Sequence, residues 1–246
     1  MGSTYPAMED SLYEIESMRR FAGLSITGPI PDETTILNFR HLLEAHQLGR
    51  MILQEVDKHL ERNGLLLREG TIVDATIISA PTSTKNEEGK RDSEMHQTKK
   101  GNEWHFGMKM HIGVDDTFGV IHSMEVTSAN EHDITQTENL LHGGESTCYG
   151  DAGYLGAEKR DELKDKAIEW EISARPGKRK KMSELEQTIE KLKSSIRAKV
   201  EHPFRTIKCQ FGYRKVRYRG LAKNENRLAT LCAFTNLLIC KAMLPI

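Results

Sequence analysis

The segment Trp104–Val114 alternates without a break. Trp104, Phe106, Met108, Met110, Ile112 and Val114 fall on one face, and polar or small residues fall on the other. A period of two marks a strand covered by a core on one side, and a slip of one residue would turn the whole apolar row to water. Asp115-Asp116-Thr117-Phe118-Gly119 supplies a hairpin turn, and Val120–Thr127 returns as the second strand of an antiparallel pair. A chain with this hairpin at its centre must build a sheet, and its remaining segments must pair with that sheet or cover it.

The other segments supply both. Gly70–Ser79 reads as a strand, and Pro81–Asn102 reads as a polar loop with almost nothing to offer a core. After the hairpin come a helix near Asp133–Leu141, a strand ending at Asp151, a helix from about Ala157 to Lys166 and a strand over Ile168–Ser173. Ser183 and Glu186 form a capping-box pair that opens a long helix, and Leu185, Ile189, Leu192, Ile196 and Val200 give it one apolar stripe. Pro203 is expected to kink or restart that helix, because it removes a backbone donor.

Residues before Leu65 read as helical. Met8, Leu12, Ile15 and Met18 follow helical spacing, and Asp32 is placed to cap a helix over Glu33–His46. The buried face of that helix would carry Ile36, Leu37, Phe39, Leu42 and Leu43, and a third helix over Gly49–Asn63 would close at Gly64. The expected organisation is a small helical segment over residues 1–65, followed by an α/β domain over 66–240 with a mixed sheet and helices for both faces.

Composition narrows the partners. Charged residues make up 29% and apolar residues 37%, as in an ordinary globular protein. No run approaches the roughly 18 to 20 apolar residues of a membrane span. Residues 1–6 have neither a basic n-region nor an apolar h-region, so a cytoplasmic protein is expected. Cys148, Cys209, Cys232 and Cys240 show no CxxC spacing and read as reduced thiols rather than a zinc site. The formal net charge of −1 conceals an asymmetry. Residues 175–227 hold 17 Lys or Arg against 5 Asp or Glu, an excess of 12 positive charges that leaves −13 for the rest. One concentrated basic region on a near-neutral chain points to a polyanion partner.

Three acids stand out against this background. Asp74 interrupts the apolar run Thr71–Ile78, Asp151 ends the strand-like Cys148-Tyr149-Gly150, and Glu201 sits within a basic helical segment. Each has an ordinary reading as well: a strand carboxylate bonded to loop amides, a helix N-cap, and a surface ion-pair row with Arg197 and Lys208. Brought together, three carboxylates can hold two Mg²⁺ ions, which clamp the attacking and leaving oxygens of a phosphodiester.

Ser194–Lys208 resembles the signature of bacterial insertion-sequence DDE transposases, Tyr-x2-Arg-x3-Glu-x6-Lys. Arg197, Glu201 and Lys208 occupy its last three positions, and Ser194 stands where the Tyr would be. The resemblance extends through Val73–Ile78, Gln97–Asn102, Ala129–Asp133 and Asp151–Tyr154, covers nearly all of residues 7–240, and looks nearest the InsH-like group of the IS-five family. It implies a ribonuclease H-like core and Mg²⁺-dependent cutting and joining of DNA ends, with Mn²⁺ as a substitute. Asp74, Asp151 and Glu201 would be the catalytic metal ligands, and a homodimer would act on double-stranded DNA.

Phosphate contacts are expected from Lys178, Arg179, Lys180, Lys181, Arg197, Arg205, Lys208, Arg214, Lys215, Arg217 and Arg219. InsH-like proteins carry a longer N-terminal region where this chain has Met1–Pro6. That difference raises a second expectation, a shortened remnant that binds DNA or inhibits full-length transposase without transposing. Asn130, His132 and Asp133 read as helix-capping residues, His105 and His111 as the solvent side of a strand, and Trp104 and Trp170 as core.

Overall fold

The computed structural model describes residues 5–25, 27–85, 87 and 89–244. They form two compact units, residues 1–49 and 50–246. The first contains α1 (Tyr5–Glu14), α2 (Glu16–Phe21) and α3 (Glu33–Ala45). Asp32 does cap α3, its carboxylate accepting the Thr35 amide at 2.6 Å. The apolar face expected of α3 is not buried, and Phe39 and Leu42 are both exposed. Next, α4 (Leu48–Arg62) carries the chain into the second unit and is followed by Gly64 at φ 67°, a left-handed stop that suits glycine.

The second unit is organised by a sheet of β1 (Gly70–Ser79), β2 (His96–Lys100), β3 (Glu103–Asp115), β4 (Ile121–Ser128), β5 (Thr147–Gly150) and β6 (Glu169–Ile172), with the short helix α5 (Thr137–Leu140) between β4 and β5. β3 pairs antiparallel with β1 along one edge; along the other it pairs first with β2 and then with β4. β5 runs parallel to β1, and β6 runs parallel to β5. The resulting order β4-β3-β1-β5-β6, antiparallel for three strands and parallel beyond, is the ribonuclease H-like arrangement. β2 is an addition in the stretch read from sequence as pure loop.

Beyond the sheet lie α6 (Pro176–Arg179), α7 (Glu184–Arg197), α8 (Glu201–Arg205) and α9 (Leu221–Cys240). The capping box of Ser183 and Glu186 is present at the start of α7. As expected, Pro203 marks a restart of the helix. It sits in the first turn of α8, where its missing donor has no intrahelical acceptor to lose, and the chain runs from α7 through a 3₁₀ turn into α8 and a π-turn over Thr206–Gln210.

The alternation in β3 is realised over most of its length. Met108, Met110, Ile112 and Val114 are fully buried beside Ile72 and Ile78 of β1, against Val200, Phe204, Ile207 and the α9 residues Leu228 and Leu231. Trp104, expected in the core, is 68% exposed instead. It lies where β3 is paired only with β2, beyond the covering helices. On the opposite sheet face, Val73, Leu140, Cys148 and Tyr154 form a second cluster. Gly113 permits this packing, since a Cβ there would stand 2.3 Å from the Leu140 carbonyl. His111, expected on the solvent side, is fully buried on that second face.

One buried acid ties the helices to the sheet. Asn236 of α9 donates to Asp57 of α4 at 2.9 Å and to the Ile121 carbonyl at 2.7 Å, while its oxygen accepts the Ile121 amide. Burial pushes the Asp57 carboxyl up to about 7. The folded chain therefore holds this proton where the unfolded chain has released it, and stability falls as pH rises from about 4 to 7. Asp57→Asn should remove that slope and raise stability at pH 8 by roughly 2–4 kcal/mol in urea titrations.

Candidate active site

β1 and β5 bring two of the three expected acids together. Their parallel register pairs Ile72 with Tyr149, and two residues further on it carries Asp74 alongside Asp151. Asp74 is pushed up to about 6, first by burial and then by the charge of Asp151, with the Ala75 amide and Arg197 opposing. Asp151 also caps the turn Ala152–Tyr154, accepting the Gly153 amide at 2.8 Å through Oδ1. The N-cap reading and the site reading of Asp151 are compatible, because a carboxylate has acceptor positions left after one such bond.

The helical path α7–α8 crosses this face of β1. Arg197, at the end of α7, lies near enough to Asp74 to favour its charged form. Lys208, in the π-turn, donates to Thr76 Oγ1 at 2.6 Å and to the Ile77 carbonyl at 2.8 Å. Thr76 shares a strand face with Asp74, so Lys208 is anchored on the same face as that acid. Glu201 lies between them in the chain, exposed at the start of α8. Among the described residues no three Asp, Glu, His or Cys side chains form a closed metal-holding group, so Glu201 is not gathered onto Asp74 and Asp151 here.

A fourth acid flanks the pair. Asp133, read from sequence as a capping residue, opens a 3₁₀ turn that packs on the turn after Asp151. A Cβ on Gly153 would stand 2.9 Å from Asp151 Oδ1 and 3.8 Å from Asp133 Oδ2, so glycine leaves the space between the two carboxylates open. Lys109 Nζ pairs with Asp133 Oδ1 at 2.9 Å and donates to the Glu131 carbonyl at 2.6 Å. The buried His111 ring bonds Thr127 Oγ1 at 2.8 Å, with Nδ1 3.8 Å from Asp133. Burial holds its pKa down to about 4, against the pull of Asp133.

Tyr154 is fully buried, and among the described residues its hydroxyl has no hydrogen-bond partner. Burial raises its pKa, and the charges of Asp133, Asp74 and Asp151 reinforce the shift, so the phenol stays a donor next to acids. Lys109→Met should destabilise the fold by about 2 kcal/mol, because it strands Asp133 among like charges. Adding Asp133→Asn should recover most of that loss in a double-mutant cycle read by urea unfolding.

Oxygen donors, a desolvated acid raised by a neighbouring acid, and a mutual repulsion that a cation would relieve fit a hard divalent metal. Asp74 and Asp151 are the carboxylates that stand closest to that description.

The side chains of the basic segment differ in exposure. Arg179 bonds the Ala174 carbonyl at 2.8 Å and pairs with Glu190 at 3.1 Å. Lys178, Lys180, Lys181 and Arg205 are exposed, as are Arg214, Lys215, Arg217 and Arg219 in the loop before α9. That loop is stitched to the end of β1, the Val216 amide donating to the Ser79 carbonyl at 2.9 Å and the Ser79 amide to the Arg214 carbonyl at 3.2 Å. It is gathered from within by Asn224, a fully buried side chain of α9. The Asn224 oxygen accepts from the Tyr213 hydroxyl at 2.6 Å and from the amides of Arg217 and Tyr218, and its nitrogen donates to the carbonyls of Tyr218 and Gly220.

Asp74 on β1 and Asp151 just past β5 thus stand together on a ribonuclease H-like sheet. Residues 66–237 match the model of the Transposase DDE domain family, and residues 2–42 match that of the Transposase domain (DUF772). The chain belongs to the DDE-type transposases, a family of DNA-binding nuclease and transposition enzymes that generally use divalent metal ions. No solved structure matches it. Among the described residues no helix is long and apolar enough to cross a membrane.

Proposed function

We propose that this chain is an insertion-sequence transposase of the InsH-like, IS-five group, cutting and rejoining double-stranded DNA at element ends as a cytoplasmic homodimer. The observation that carries this reading is the juxtaposition of Asp74 on β1 with Asp151 at the end of the parallel neighbour β5, with Arg197 near Asp74 and Lys208 anchored on the same face of β1. Asp74 and Asp151 would hold Mg²⁺, or Mn²⁺ in its place, with Glu201 as the third ligand. The bound ion supplies positive charge that activates first water and then a DNA 3′-hydroxyl, and that offsets charge on the leaving oxygen.

The chain's own groups do the rest. Arg197 meets negative charge beside Asp74, and Lys208 fixes the π-turn to β1, which sets the reach of Glu201 from α8. Arg214, Lys215, Arg217 and Arg219, with the exposed lysines after α6, hold the phosphate backbone. The test is incubation with Mg²⁺ and a labelled duplex taken from the terminal inverted repeats flanking the gene. Specific nicking at the terminus is expected. Binding without nicking, or cleavage without preference for the end, would replace this reading with a transposition-incompetent remnant.

A further inference from the structure

α7 is amphipathic in the reverse sense for a helix that packs on its own domain. Leu185, Ile189 and Leu192 of the apolar stripe read from sequence are 72%, 44% and 61% exposed. The side turned towards the protein is polar. Glu190 is buried, accepts the Ala174 amide at 3.1 Å and pairs with Arg179, and Lys193 pairs with Glu171. The helix is held by its charged side and presents its apolar side outward. A contiguous exposed apolar row framed by polar residues marks an interaction surface.

Spacing and charge identify what fits it. Leu185, Ile189, Leu192 and the half-buried Ile196 are separated by four, three and four residues, the a/d rhythm of a two-helix seam. Along the same helix the charges are segregated. Outside those inward contacts, Glu184 and Glu186 stand in the first turn and Lys191 in the C-terminal half. A second α7 laid antiparallel turns each acidic first turn towards the half of the other that carries Lys191 and opposes the two helix dipoles favourably. A parallel pair would set like against like.

We propose that α7 is the homodimer seam of this protein, an antiparallel pairing of two copies centred between Ile189 and Leu192. The inference deepens the homodimer part of the proposed function and is independent of the cleavage chemistry. A helix of 14 residues is about 21 Å long, so its seam buries less than a standard interface. The dimer should therefore be weak in free solution and tighten when each copy holds one end of the same DNA, through effective concentration.

Sedimentation velocity on the full chain tests this, with and without duplex DNA. Wild type is expected to show reversible dimerisation with a dissociation constant on the order of 10 µM. Ile189→Glu with Leu192→Glu should weaken it at least about thirtyfold without changing the melting temperature, because both side chains are exposed. Ile189→Cys mixed with Leu192→Cys should, on air oxidation, form the mixed disulfide dimer in preference to either variant alone, as an antiparallel seam requires. These two surface changes keep the test decisive should the apolar variant fold poorly. A wild-type monomer in both conditions, as when another part of the chain covers α7, overturns the proposal. So does a dimer indifferent to the α7 variants. A chain that dimerises through α7 yet never nicks DNA would overturn the chemistry and leave the seam standing.

Discussion

Asp74→Asn leaves the sheet intact and lowers metal-dependent strand cleavage by about three orders of magnitude or more. Metal-supplied charge is worth several kcal/mol in a phosphoryl transition state, and each 1.4 kcal/mol is about tenfold in rate. The variant also carries its own control for folding. Burial raises the Asp74 carboxyl to about 6, so in metal-free protein the native state keeps a proton that the unfolded chain gives up. Stability therefore falls as pH rises from about 4 to 6, and the amide should raise it at neutral pH by roughly 2–3 kcal/mol. Cleavage assays beside urea titrations at pH 7 read both effects. Persistent cleavage in the variant would remove Asp74 from the site.

Neutralising Arg214, Lys215, Arg217 and Arg219 together, each to Gln, should cut DNA affinity about a thousandfold near 0.1 M salt. Each phosphate contact contributes close to 0.9 to the slope of log affinity against log salt, so the slope should become shallower by about 3 to 4. Fluorescence anisotropy of a labelled duplex across a salt series measures it. An unchanged slope would place the DNA on another surface, with the exposed lysines after α6 the next residues to test.

The parts of this fold legible in the sequence are those whose covering is regular. β1, β3 and β4 alternate against one core, and Asp74 and Asp151 interrupt apolar runs in ways that stand out along a single chain. β2 left no such trace, because His96–Lys100 are nearly all exposed and join the sheet through backbone bonds to β3. The helix expected from Ala157 to Lys166 shrinks to a 3₁₀ turn and further turns, since only Ala157 and Leu163 are buried and the residues between offer no second apolar position to pack. α9 went unread for the opposite reason: Asn224, Leu228, Thr230, Cys232 and Asn236 are buried around much of its girth, which blurs any stripe.

Asp133 was legible only as a cap, because its partners Lys109 and His111 come from a distant strand and reach it on the face opposite the buried methionines of β3. The α7 stripe was visible as a pattern, but periodicity shows that a helix has an apolar side and not whether its own domain or another surface covers it.

Asn224 gives the basic loop a property of its own. Four like-charged side chains are held close together by a neutral amide that answers five backbone and phenol groups, and salt has little hold on such bonds. Raising ionic strength should thus loosen the hand's grip without altering its shape. A loop held in this way should keep one backbone path in dilute buffer and in concentrated salt, so that salt would change what its charges attract and not where they stand.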